Sequence, residues 1–120
     1  MTSKKKILIV DDEPDFVAGL QTFLEDNDYE VCAAFDGNEG IEVLKKEKPN
    51  LVTLDLAMPG DSGTRFYRNM TKKKEYKDVP VIIISGLPGR HLAAKHPFAV
   101  FEKPFDRDKL LATIKEAIGE

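Results

Sequence analysis

Four places in this chain put a reactive side chain at the end of a short apolar run. Ile7-Leu8-Ile9-Val10 stops at Asp11-Asp12-Glu13, and Leu51-Val52-Thr53-Leu54 stops at Asp55. Val81-Ile82-Ile83-Ile84 stops at Ser85-Gly86, and Lys103-Pro104 closes a run that begins at Phe98. A carboxylate in such a place can accept a cation, attack a phosphorus atom or cap a turn. Singly, each feature has a plain reading: Asp11-Asp12 a helix cap, Asp55 an Asx-turn, Ser85-Gly86 a turn, Lys103 a surface lysine. Together they read differently. If the runs are parallel strands, their carboxyl ends share one edge of a sheet, where open α/β sheets place their ligands. Three carboxylates facing one another there would repel without a cation. An all-oxygen donor set suits Mg²⁺ better than zinc. His91 and His96 fall in an irregular segment and are not read as ligands. A Mg²⁺ held by carboxylates keeps room for phosphate oxygens. That points to phosphoryl transfer with Asp55 as nucleophile, Lys103 offsetting phosphoryl charge and Ser85 donating to a phosphoryl oxygen.

The elements between these residues support that placement. Runs 7–10, 51–54 and 81–84 are apolar on both faces, as buried parallel strands are. Further strands are expected over 29–34 and 98–101. Phe16, Val17, Leu20, Phe23 and Leu24 recur at helical spacing after Pro14, which predicts a helix over 14–27. Asn38 is the expected cap of a second helix carrying Ile41, Val43 and Leu44. Met58-Pro59-Gly60-Asp61-Ser62-Gly63 is a loop leading to a helix with Phe66, Tyr67 and Met70. Asp106 is the expected cap of a terminal helix with Leu110, Leu111, Ile114 and Ile118. Pro88, Gly89 and Pro97 crowd residues 87–97 and leave room for a turn or two of helix around 90–94. Five alternations of strand and helix imply a mainly parallel sheet covered on both faces.

Composition narrows the function classes. The chain has 120 residues, enough for one domain, with 42% hydrophobic and 32% charged residues and a net charge of −3. No basic excess suggests nucleic acid, and Lys72-Lys73-Lys74 reads as a solvated helix end. The single cysteine, Cys32, sits in an apolar stretch as an inert thiol and excludes an internal disulfide framework. No apolar run is long enough for a membrane span or signal peptide, so a cytoplasmic protein is expected.

Ile7-Leu8-Ile9-Val10-Asp11-Asp12-Glu13, Asp55-Leu56-Ala57-Met58-Pro59-Gly60, Ser85-Gly86 and Lys103-Pro104-Phe105, in that order, resemble the receiver domain of two-component response regulators. The resemblance runs over about 5–118 and implies a single receiver domain across 1–120. It implies a flavodoxin-like, doubly wound five-stranded parallel sheet of order 2-1-3-4-5, here with a shortened fourth helix. It implies Asp55 as phospho-acceptor and Mg²⁺ ligand, Asp12 as a direct Mg²⁺ ligand, Asp11 acting mainly through water and the Ala57 backbone carbonyl as a further ligand. Ser85 would be the switch hydroxyl and Lys103 would pair with the phosphoryl group. The donor would be a phosphohistidine of a sensor histidine kinase or histidine phosphotransfer protein. Two departures stand out. Val100 occupies the place of the family's usual aromatic residue, while Phe101, one residue later, should face the other side of the sheet. The proline- and glycine-rich stretch also shortens a helix that the family commonly uses for output. Ala57 and Leu87 occupy the positions that flank the phosphoryl group.

A phospho-accepting switch is therefore expected, with output through a protein contact and no direct action on nucleic acid or membrane. Any catalysis would be of its own phosphorylation and dephosphorylation. A haloacid-dehalogenase-type phosphatase would need an acid where Ala57 stands. A flavin module would need a phosphate-cradling loop where Asp11, Asp12 and Glu13 stand. A receiver-like binding module independent of phosphorylation is the remaining alternative.

Overall fold

The computed structural model describes residues 4–86 and 96–120. Leu87, His91 and the expected turn or two of helix around 90–94 lie outside the described residues.

Five strands form one parallel sheet: β1 (Lys6–Val10), β2 (Glu30–Ala34), β3 (Leu51–Leu54), β4 (Val81–Ser85) and β5 (Ala99–Glu102), in the order β2-β1-β3-β4-β5. Helices α1 (Pro14–Asp26), α2 (Gly37–Glu47), α3 (Ser62–Lys72) and α4 (Arg107–Ile118) connect or follow them. This is the flavodoxin-like arrangement, and its strand order reverses direction from β1, the first strand, to its neighbour β3.

Strand alternation divides the core. Leu8, Val10, Val52, Leu54 and Ile83 face Leu44 of α2 and Phe66 and Met70 of α3. Ile7, Ile9, Leu51, Ile82 and Ile84 face Val17, Leu20 and Leu24 of α1 and Leu110 and Ile114 of α4. Both faces of β1, β3 and β4 are thus covered, which is why their sequences show no polar alternation. The two faces of β5 differ. Phe101 packs into the α1–α4 side, and Val100 is 39% exposed. The expected separation of these two side chains holds.

Two helix starts are informative. The expected Asn38 cap is corrected: Asp36, in extended conformation, caps α2 by accepting the Glu39 N–H, and Glu39 reaches back to the Phe35 N–H. This reciprocal pair satisfies two otherwise orphan donors, so Asn38 lies inside the first turn. Asp106 caps α4 as expected, accepting from Asp108 and Lys109. The approach of α3 to β3 is close: a Cβ on Gly63 would overlap the Asp55 carbonyl oxygen. The loop after Asp55 can turn into α3 here only because residue 63 has no side chain.

Candidate functional site

Register decides which side chains meet. Val10 pairs with Leu54, so Asp11 and Asp55 emerge at one level from neighbouring strands. Leu54 pairs with Ile83, which carries Ser85 one residue past that level, and Ser85 pairs with Glu102, immediately before Lys103. The ladder continues past the strand ends. Asp11 N–H donates to the Ala34 carbonyl, Asp55 N–H to that of Val10 and Lys103 N–H to that of Ser85, at 3.1, 3.0 and 2.9 Å. The reactive residues are therefore fixed by sheet hydrogen bonds before their side chains make any contact.

Asp11 and Asp55 are oriented alike. Asp11 Oδ1 accepts the Glu13 N–H at 2.9 Å, and Asp55 Oδ1 accepts the Ala57 N–H at 2.8 Å. The Asx-turn reading of Asp55 is thus correct and accounts for one oxygen only. In both residues Oδ2 turns to Lys103, whose Nζ lies 2.9 Å from Asp11, 3.6 Å from Asp55 and 2.9 Å from Glu13 Oε1. The ammonium also stands 3.9 Å from the centre of the Phe16 ring. Phe16 meets Phe105 edge-on, and Phe105 meets Phe101 in the same way. The Lys103–Pro104 bond is cis.

Asp11, Asp55 and Ser85 are 1%, 4% and 3% exposed. Burial pushes the carboxyl groups of Asp11 and Asp55 above the ordinary aspartate value. The Lys103 hydrogen bond and the Glu13 amide oppose that rise at Asp11, and the Ala57 amide and Lys103 charge oppose it at Asp55. The charges of Asp12 and Glu13 add to it at Asp55. Burial alone would lower Lys103, but Glu13, Asp11 and Asp55 outweigh it and hold the ammonium above the usual lysine value.

Asp11, Asp12, Glu13 and Asp55 each offer a carboxylate oxygen, all within 4.8 Å of one another. Among the described residues, Lys103 is the one ammonium paired with this group of four carboxyl groups, so negative charge is in excess there. The donors are all oxygen, half of them are exposed, and the set fits a hard divalent cation that retains water. The structure brings Asp11, Asp12, Asp55 and Lys103 together, with Ser85 and Ala57 at the same edge. Glu13 belongs to the cluster although sequence reading gave it no individual role. Its place in the run Asp11-Asp12-Glu13 was the available signal.

The other sequence candidates stand apart. Cys32 is half-buried, and burial pushes its thiol up to about 11. The backbone N–H of His96 donates to the Tyr67 hydroxyl beside a cavity of about 790 Å³ bordered by Val79 and Phe98, away from Asp55. Lys72 ends α3, and Lys74 is exposed. Among the described residues, no helix is long and apolar enough to cross a membrane.

The chain is similar to known proteins in sequence and in fold. Protein Rrf1 of Nitratidesulfovibrio vulgaris is 33% identical over 114 residues, spanning 95% of this chain and 83% of that protein. The CheY-like response regulator receiver domain protein of Methanospirillum hungatei superposes with a TM-score of 0.86 at 29% identity, over 98% of this chain and 95% of that one. Response regulator TrrA of Thermotoga maritima, solved in complex with Mg²⁺-BeF, gives 0.80 at 31% identity, over 94% and 98% of the two chains. The family model of the response regulator receiver domain matches residues 7–115, and the chain belongs to that family of two-component signalling modules.

Proposed function

We propose that this chain is a Mg²⁺-dependent phospho-accepting switch with Asp55 as the acceptor. The observation that carries the reading is the state of Asp55: a buried carboxylate with Oδ1 held by the Ala57 amide and Oδ2 turned toward Lys103 within an acidic cluster. A fixed, poorly solvated oxygen is positioned for in-line attack without first reorganising. The donor is a phosphohistidine of a sensor histidine kinase or histidine phosphotransfer protein. Its P–N bond breaks as a P–O bond to Asp55 forms, and the electron pair of the broken bond stays on the imidazole.

Asp12 and Asp55 would hold the Mg²⁺ directly, with Asp11 acting through water and the Ala57 carbonyl as a further ligand. TrrA, a relative carrying Mg²⁺-BeF, supports that choice of ion. When bound, Mg²⁺ supplies positive charge to the phosphoryl oxygens. Lys103 would supply a second positive charge to the phosphoryl group, and the Ser85 hydroxyl would donate to a phosphoryl oxygen. Loading Asp55 draws on Ser85, which ends β4, and Lys103, which follows the neighbouring β5, and so alters the surface presented to a protein partner. Residues 5–118 form the receiver unit in this reading.

The test is intact-mass measurement after incubation with acetyl phosphate, with and without Mg²⁺. One phosphate adduct is expected on the wild type, and none on Asp55→Asn or without Mg²⁺. Equal labelling of Asp55→Asn would overturn the assignment.

A further inference from the structure

Glu13 precedes the first turn of α1, where a side-chain oxygen commonly accepts a helix N–H. It makes no such bond. Its carboxylate instead accepts from Lys103 Nζ at 2.9 Å, across 90 residues of sequence. Asp11 accepts from the same ammonium at 2.9 Å, and Phe16 lies beneath it at 3.9 Å. Asp55 is farther, at 3.6 Å. Three contacts from the β1–α1 segment therefore hold Lys103 toward Asp11, and two of them, from Glu13 and Phe16, come from side chains with no place in the transfer chemistry.

We propose that Glu13 is a positioning residue for Lys103. With help from Phe16, it draws the ammonium toward Asp11 and holds it at ion-pair rather than hydrogen-bond distance from Asp55 in the unmodified protein, and it competes with the phosphoryl group for it. The identity of residues 13 and 16 thereby sets how readily the loaded state forms. This inference rests on the reading of Asp55 as acceptor and Lys103 as its phosphoryl partner. The geometry suits a tuning role. The Glu13 side chain is 62% exposed, so its hold on Lys103 is weak enough to be displaced by a phosphoryl group in direct contact. The rival role for Glu13 is a metal ligand, because its oxygen lies in the carboxylate cluster. The two roles predict opposite signs when the charge is removed.

The experiment is a titration with beryllofluoride in saturating Mg²⁺, followed by ¹⁹F NMR, with Mg²⁺ affinity measured separately. The proteins are wild type, Glu13→Gln, Phe16→Leu, Lys103→Ala and the double variant Glu13→Gln/Lys103→Ala. In saturating Mg²⁺, Glu13→Gln is expected to bind beryllofluoride about threefold more tightly, with at most a small loss of Mg²⁺ affinity from the removed charge. Phe16→Leu should gain about twofold. The Glu13→Gln gain should narrow in high salt, as an exposed ion pair is screened. It should vanish in the Lys103→Ala background, because the effect passes through the ammonium. A gain is also a readout that a damaged fold would not produce. Weaker beryllofluoride and Mg²⁺ binding in Glu13→Gln would overturn the proposal in favour of a metal ligand. A gain that persists without Lys103 would overturn it in favour of simple repulsion of the anion, and no change would overturn it outright. Failure of the wild type to bind beryllofluoride would instead remove the acceptor reading on which the proposal stands.

Discussion

Each end of the sheet has a lysine between carboxylates, and the two groups behave in opposite ways. At the amino end of β1, Lys6 lies 2.9 Å from Glu47 and 3.8 Å from Glu30. At the carboxyl ends, Lys103 lies 2.9 Å from Asp11 and Glu13 and 3.6 Å from Asp55. The distances alone would not tell the clusters apart. Their electrostatics do: the hydrogen bond and charge of Lys6 hold the Glu47 carboxyl below the ordinary glutamate value, whereas burial drives those of Asp11 and Asp55 above the aspartate value. At the Lys6 end, water still solvates the carboxylates and the lysine adds to that solvation. At the Lys103 end the aspartates have lost their water, and one ammonium does not replace it. A cluster that binds its own charges poorly is ready to take a cation and then an anion, so burial separates the reactive end from the structural one.

The largest effect that could break this comparison is on ligand affinity. Lys103→Ala should weaken beryllofluoride binding in Mg²⁺ by about tenfold to a hundredfold, the range for a hydrogen bond between charged groups. It should change Mg²⁺ affinity far less. Lys6→Ala should leave both affinities unchanged. Equal losses in the two variants, measured in one titration series, would mean that the lysines act only through the fold and that the two ends do not differ in function.

Stability gives the next test, with the sign set by burial. The folded-state pKa of Asp55 is raised, so the folded protein holds that proton more tightly than the unfolded chain. The resulting stability is present below the unfolded pKa and is lost as pH rises through the folded pKa. At pH 7 without divalent cation, Asp55→Asn should therefore melt higher than the wild type. A rise of about 4 °C corresponds to roughly 1 kcal/mol in a domain of this size. The advantage should disappear as pH falls below the ordinary aspartate value. Saturating Mg²⁺ should reduce or reverse it, because the cation stabilises whichever protein binds it more tightly. A melting point for Asp55→Asn below that of the wild type at pH 7 without cation would show that the Lys103 contact outweighs burial.

The contrast between the ends was partly legible in the amino-acid sequence. Asp11, Asp55 and Ser85 stood out because buried strands are apolar throughout, and a polar residue marks where one stops. Lys103 stood out in the same way, by closing the run that begins at Phe98, although that run is short and broken by Glu102. What the sequence did not carry was pairing at long range. The bonds from Glu13 to Lys103 and from Lys6 to Glu47 depend on how helices dock on the sheet, and nothing local distinguishes these glutamates from exposed ones. The α2 cap was missed for another reason. Asp36 and Asn38 are both good capping residues, and the choice follows from the extended backbone at Asp36 together with Glu39 three residues on. The separation of Val100 from Phe101 was legible because alternation in a strand is strict.

The smallest effect is expected at the Lys6 end, and its direction is the sharpest check. Glu47 has a lowered folded-state pKa, caused first by its hydrogen bond to Lys6 and then by the charge of Lys6. A lowered carboxyl pKa means that the unfolded chain binds the proton more readily. The stability from this pair is therefore present above the unfolded pKa and is lost as pH falls through the folded one. Glu47→Gln should melt slightly below the wild type at pH 7, by less than Asp55→Asn rises, because a partly exposed pair is still screened and worth little. The deficit should close below about pH 4 and shrink in high salt. Two carboxyl-to-amide changes, each beside a lysine, would then give melting differences of opposite sign at pH 7 that converge in acid. If both variants fell together at pH 7, lysine contact rather than burial would govern both clusters, and the acidic crevice would have to owe its reactivity to something other than lost solvation.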